Sequence, residues 1–132
     1  FVLYLNSKNP MYGLPENYLY EPNSAIMKSG GFDEVSIFYK LKKLHKHSHL
    51  YTNSEIIAFP GRVFKIENSF KYHKKEMKIF LDVKQFNITT RNFPETVESI
   101  RKKWKIKEGG NQYCFFTTDE NDNKIVLICT KI

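Results

Sequence analysis

Cysteine, arginine and long apolar runs are all scarce in this chain, and each scarcity removes a class of protein. Two cysteines in 132 residues allow at most one bridge, so no disulfide scaffold holds the fold, and the compartment is most simply a reducing one. The longest apolar runs, residues 1–5 and 125–129, fall far short of the ~20 residues a membrane-spanning helix needs. Only Arg62, Arg91 and Arg101 stand beside 18 lysines among the 21 cations. Lysine is a flexible point charge suited to diffuse attraction to phosphate, whereas reading base edges favours the arginine fork. Catalytic signatures are missing too. Gly109-Gly110 is not followed by the Lys-Ser that completes a phosphate-cradling loop, and neither a Gly-x-Ser-x-Gly elbow nor a His-Glu-x-x-His pair occurs. The acids are scattered, with no paired-carboxylate setting. The expectation is a binding domain that is no enzyme and carries no cofactor.

What is present points to one folded domain. Apolar residues at 41% and aromatics at 15% supply a core, and 132 residues is the size of a single domain. The net charge of +7 is unevenly placed. Residues 36–107 hold 17 Lys or Arg against six acids, a surplus of 11, while the segments on either side are each slightly acidic. Such a field draws an anionic partner, whether lipid, nucleic acid or acidic protein.

Periodicity predicts mostly strands. Residues 1–31, punctuated by Pro10, Gly13, Pro15, Pro22 and Gly30-Gly31, read as an irregular lead-in packed on the domain. Val35, Ile37 and Tyr39 then alternate with Ser36, Phe38 and Lys40, as in a strand with one face inward. Further strands are predicted at the end of residues 50–59, at 63–66 after the Pro60-Gly61 turn, at 78–83 and at 86–89, with a bulge or turn near Lys84-Gln85. Residues 113–118 and 124–130 form the clearest pair, a hairpin across the polar loop 119–123. One amphipathic helix is predicted over 94–107, with Val97, Ile100 and Trp104 on one stripe, Pro94 in its first turn and Gly109-Gly110 ending it. The fold class is mainly β within α+β: a small barrel or sandwich over residues 32–132.

In this order of elements the chain resembles a pleckstrin-homology domain over residues 32–130. Val35-Ser36-Ile37-Phe38-Tyr39-Lys40-Leu41-Lys42-Lys43 is similar to that family's first strand running into a basic loop. Ile79-Phe80-Leu81-Asp82-Val83 resembles its fourth strand, Tyr113-Cys114-Phe115-Phe116-Thr117-Thr118 a later one, and Ile125-Val126-Leu127-Ile128-Cys129 its seventh. The Lys- and Asn-rich composition is also similar to proteins of A/T-rich apicomplexan genomes, which include acylated members binding phosphatidic acid. The resemblance implies a bent seven-stranded antiparallel barrel, cytoplasmic and peripheral to membranes, docking on anionic phospholipid. It places Lys40, Lys42, Lys43 and Lys46 at the headgroup, with His45, His47, Arg62 and Lys65 beside them.

Two further basic patches are read directly from the sequence: Lys71, Lys74 and Lys75 with Tyr72, and Arg101, Lys102 and Lys103 on the helix. If two of the three patches share a side, their attraction for an anionic surface sums. His45-Lys46-His47-Ser48-His49 leaves several readings open: a solvated loop, an anion-binding loop strengthened by protonation near pH 6, or a zinc site disfavoured by the surrounding lysines. Leu44 and Leu50 beside it suit either interfacial insertion or the core. Tyr113, Phe115 and Phe116 suit stacking on nucleic acid or, more simply, core packing. Cys114 and Cys129 on neighbouring strands suit a bridge or two buried thiols. The expected function is docking on anionic membranes. A protein-interaction module of the same superfold and a basic nucleic-acid-binding barrel are the alternatives.

Overall fold

The computed structural model describes residues 9–81 and 85–132. In chain order the elements are β1 (Met11–Tyr12), β2 (Tyr18–Pro22), α1 (Ser24–Ser29), α2 (Phe32–Tyr39), β3 (Lys42–Lys43), β4 (Tyr51–Asn53), β5 (Gly61–Lys71), α3 (Lys74–Phe80), β6 (Asn87–Arg91), α4 (Val97–Trp104), β7 (Gln112–Thr118) and β8 (Lys124–Lys131). The strands make one open sheet of eight, ordered β1-β3-β4-β2-β5-β8-β7-β6. Most neighbours are antiparallel, but β1 with β3 and β6 with β7 are parallel. The α+β class holds; the closed seven-stranded antiparallel barrel does not.

Local chemistry accounts for the departures. Residues 35–39 fit a strand by alternation, yet Phe32, Val35, Ser36 and Tyr39 also fall at helical spacing, and Val35 and Ser36 are the buried residues of α2. Asp33 and Glu34 suit its first turn, and Lys40 ends it in a left-handed conformation. Residues 78–80 belong to α3, whose Met77 and the following Leu81 face the core; Asp82, Val83 and Lys84 lie outside the described residues. Of the lead-in read over 1–31, residues 1–8 lie outside the described residues, and the remainder is not irregular throughout. Tyr18–Pro22 is a strand within the sheet, running antiparallel to both β4 and β5. Gly61 is required where it meets β2, because a Cβ there would collide with the Glu21 carbonyl oxygen. Of residues 50–59 only Tyr51–Asn53 is strand. The helix read over 94–107 is shorter, Val97–Trp104. Thr96 caps it by accepting from the Ser99 amide at 3.1 Å, and Lys105, not Gly109-Gly110, ends it. The hairpin of β7 and β8 is as expected, in continuous register from Gln112↔Thr130 to Thr118↔Lys124.

β5 is the spine, and a bulge divides it. Ile66 pairs with Cys129 and Asn68 with Ile128, so Glu67 is the extra residue. The bulge reverses which side chains face which side. Phe64 faces a core with Leu19, Phe115, Leu127 and Cys129, whereas Phe70 joins Met77, Ile100, Phe116 and Val126 on the other face, beneath α3 and α4. Cys114 belongs to this second core and Cys129 to the first, so the sheet separates the two thiols, and both are free and buried. Burial raises both thiol pKa values. Tyr113 is partly buried, and Phe115 and Phe116 are core residues.

The face carrying Leu19 and Phe64 is concave. β2 and β6 are four steps apart in the sheet, about 19 Å if it were flat, yet Arg91 at the end of β6 reaches Glu21 of β2 at 2.8 Å. Glu21 also receives Arg62 at 2.6 Å and is almost fully buried. The segment 44–50 covers this concave face. Leu44 and Leu50 are wholly buried in the core there, which removes them as membrane-inserting residues, and the Ser48 hydroxyl donates to the Thr118 carbonyl at 2.8 Å. His49 stacks on Phe32 with ring centroids 3.6 Å apart. Burial first, then Lys43, His47 and Arg91, lower its pKa below the ordinary 6.5.

Two expectations follow from this geometry. Glu21→Ala strands two arginines that remain a third exposed, and should cost roughly 2 kcal/mol, below the 3–5 of a fully buried pair; a urea midpoint unchanged in the variant would contradict the clasp. The unfolded chain accepts a proton at His49 near pH 6.5 while the native fold resists, so His49 stabilises above that pH and the contribution is lost on acidification. Urea melts at pH 7 and pH 5 should therefore show a smaller acid loss in His49→Asn than in the parent chain, and equal losses would refute the assignment.

Candidate nucleic-acid interface

The first predicted patch is dispersed by the fold. Lys42 pairs with Glu16 at 2.8 Å, and the fully buried Lys43 pairs with Asp33 at 2.8 Å. His45 Nε2 meets Asp122 at 2.7 Å while its Nδ1 accepts from the His47 amide at 3.0 Å, which fixes the loop to the β7–β8 turn. The His45 and His47 rings lie 5.7 Å apart, but His45 is engaged by Asp122 and His49 is stacked on Phe32, and no cluster of three metal-ligating side chains occurs among the described residues. Arg62 is held by Glu21, and Lys65 lies 3.7 Å from Glu67. Lys40, Lys46 and His47 stay exposed without an acid partner among the described residues. Five of the eight basic residues placed at the headgroup thus already face a carboxylate. Arg101 is also structural: it donates to the Phe86 carbonyl at 3.0 Å and to that of Ile106 at 3.4 Å, closing the end of α4.

The other two patches meet. Tyr72 leaves the end of β5, its amide donating to the Lys124 carbonyl at 2.8 Å. α3 starts just beyond it and α4 ends beside it, because both helices bury their apolar stripes on the same face of the sheet through Met77 and Ile100. A groove of about 410 Å³ opens between them, lined by Tyr72, His73, Lys74, Lys103 and Trp104. The Trp104 indole N–H donates to the Tyr72 hydroxyl at 3.0 Å. Phe93 and Phe116 meet the Tyr72 ring edge-on at 5.1 and 5.8 Å, so the ring is fixed. Burial, and after it Glu95, push the Tyr72 hydroxyl up to about 12, against the opposing effect of the Trp104 hydrogen bond. It stays a neutral phenol at physiological pH.

Around the groove cations outnumber acids. Lys71, Lys74, Lys75 and Lys102 are exposed with no acid partner among the described residues, while Lys103 pairs with Glu95 at 3.7 Å and His73 with Glu76 at 3.9 Å. Lys74 and Lys75 stand in the first turn of α3, where the helix dipole disfavours cations, so helix stability does not explain them. Aromatic faces beside an excess of lysine can stack flat rings and attract phosphate. The sequence supplied the two lysine runs and Trp104, but not their meeting. Nothing local marks Tyr72 as the partner of Trp104, or Glu21 as the partner of Arg91, since each pair lies far apart in the chain.

Comparison with known proteins agrees with the mixed sheet and overturns the pleckstrin-homology resemblance, and with it the description as a lipid-binding barrel. Residues 18–60 match a ferredoxin-like domain and residues 61–131 a THUMP domain-like family. A solved structure from Porphyromonas gingivalis W83, provisionally assigned as a methyltransferase, is similar with 33% identity and a TM-score of 0.85. The match covers 94% of this chain but 31% of that one, so the chain spans about a third of its relative's length. No curated protein matches the chain at a significant level. The boundary between the two matches falls at Gly61, where β5 begins, and the second match takes in more than half of the chain: it belongs to the THUMP domain-like family.

Proposed function

We propose that this chain is an RNA-binding module whose basic α3–α4 edge holds the RNA backbone. The observation that carries the reading is the meeting of two lysine runs, remote in sequence, around an aromatic groove with no acid partners for Lys71, Lys74 and Lys75 among the described residues. THUMP-like domains bind RNA, which supports the same partner. The lysine bias suits it as well, since phosphate contacts position a nucleic acid without reading its bases. The similar protein from P. gingivalis W83 supports a second element: the module serves a methyltransferase activity located outside it, by holding the RNA that is to be modified. In this reading the groove contributes affinity and orientation.

Docking on anionic phospholipid is the competing use of the same charge. It would fall to Lys40, Lys42, Lys43 and Lys46, of which Lys42 and Lys43 are bound to acids. One experiment separates the two. Fluorescence anisotropy with a labelled, folded RNA hairpin should show affinity falling steeply with salt, the log–log slope becoming shallower by about 0.7–0.9 for each phosphate that a substitution leaves without its lysine. Replacing Lys71, Lys74 and Lys75 together with glutamate should weaken binding at least ten-fold, and replacing Lys40 and Lys46 far less. Sedimentation with phosphatidic-acid vesicles is the matching control. Vesicle binding without RNA binding would overturn the proposal.

A further inference from the structure

Lysines alone attract phosphate; they do not require two aromatic rings set between them. In the α3–α4 groove Tyr72 is fixed by Trp104, Phe93 and Phe116, while Tyr72 and Trp104 both remain partly open to solvent. The Lys103 ammonium lies 5.7 Å from the centroid of each of these two rings, over their faces. A cation held there covers the π surface without filling the space of about 410 Å³ beside it. Its flexible stem lets it swing aside, and the nearest use for it is an incoming phosphate. Lys74 on the adjoining wall and Lys103 itself repel a cationic guest, so the rings are not a cage for an ammonium group. They suit a flat, electron-poor ring that brings negative charge with it.

A nucleotide has that composition. Within a duplex the faces of each base are covered by its neighbours, so only an unpaired nucleotide offers a face to a protein ring. We propose that the Tyr72–Trp104 groove receives one unpaired nucleotide of the bound RNA, its base stacked on Trp104 and bounded by the Tyr72 ring, which stands at 71° to the indole, and its flanking phosphates at Lys74 and Lys103. The inference rests on the RNA-binding reading and gives it a preference: single-stranded ends, loops or bulges over uninterrupted duplex.

Trp104 is the single tryptophan of the chain, so its emission reports on this groove alone. The 132-residue chain is titrated with a dye-labelled single-stranded RNA oligonucleotide and with the blunt duplex of the same sequence, following anisotropy for binding and tryptophan emission for stacking. Saturation with the single strand should quench most of the Trp104 emission, and saturation with the duplex should leave it nearly unchanged. Trp104→Leu should weaken single-strand binding about ten-fold by loss of stacking and duplex binding much less, with an unchanged far-UV circular dichroism spectrum showing that the variant is folded. Trp104→Phe should restore most of the affinity. Single-strand binding with unchanged emission would overturn the stacking proposal and leave RNA binding intact, whereas no binding of either RNA would overturn both. Quenching by free mononucleotides at the concentrations effective for the oligonucleotide would also overturn it, by making the groove a site for a free nucleotide.

Discussion

A cation drawn out of water needs a carboxylate beside it, and this chain has 14 acids for 21 lysines and arginines. The fold places its closest acid–base pairs on one side. Glu21 lies between Arg62 and Arg91, Asp33 meets the buried Lys43, and Glu16 meets Lys42. The Glu21–Arg91 pair joins β2 to β6 and helps hold the sheet in its curl, with the segment 44–50 laid over the concave face. The surplus charge is thereby left where no acid is required, at the edge formed by the end of β5, the start of α3 and the end of α4. Architecture and binding surface follow from the same shortage of carboxylates.

That shortage also explains what is legible in the sequence. The surplus of positive charge in residues 36–107 is visible from counting, and so is a helix around Trp104 with a lysine-rich end. The hairpin of β7 and β8 is visible because both strands are continuous β-forming runs across a polar turn. The rest turns on pairings that composition cannot show. Val35, Ile37 and Tyr39 satisfy a strand's alternation while Phe32, Val35, Ser36 and Tyr39 satisfy a helix, and only the tertiary core decides between them. Tyr18–Pro22 is hidden between prolines, although Tyr18-Leu19-Tyr20 is a short β-forming run. With 35–40 read as a strand and 18–22 as a loop, the order of elements imitates a different fold. The loop of lysines and histidines looks like a site for an anion because the acids that neutralise it, Glu16, Asp33 and Asp122, lie remote in sequence or on another strand pair.

The two halves of the sheet have different roles. Residues 18–60 carry Glu21, the Lys43–Asp33 pair and the segment covering the concave face, and they match a ferredoxin-like domain. Residues 61–131 carry the groove and match the THUMP-like family. β5 joins them, and its bulge at Glu67 lets one strand serve both cores: Phe64 packs on the concave side, and Phe70 packs beneath α3 and α4. Without that reversal Phe70 would face away from α3 and α4, and the turn that delivers Tyr72 to Trp104 would lose its anchor.

The central proposal is that the α3–α4 edge binds RNA. The most direct measurement is a backbone amide footprint, by NMR of the isotopically labelled chain titrated with a folded RNA carrying a single-stranded end. A groove between α3 and α4 that holds the RNA predicts the largest shifts at residues 71–75 and 101–105, with little change at 40–47 or around Arg62. A footprint centred on residues 40–47 and Arg62, with the α3–α4 edge silent, would contradict it.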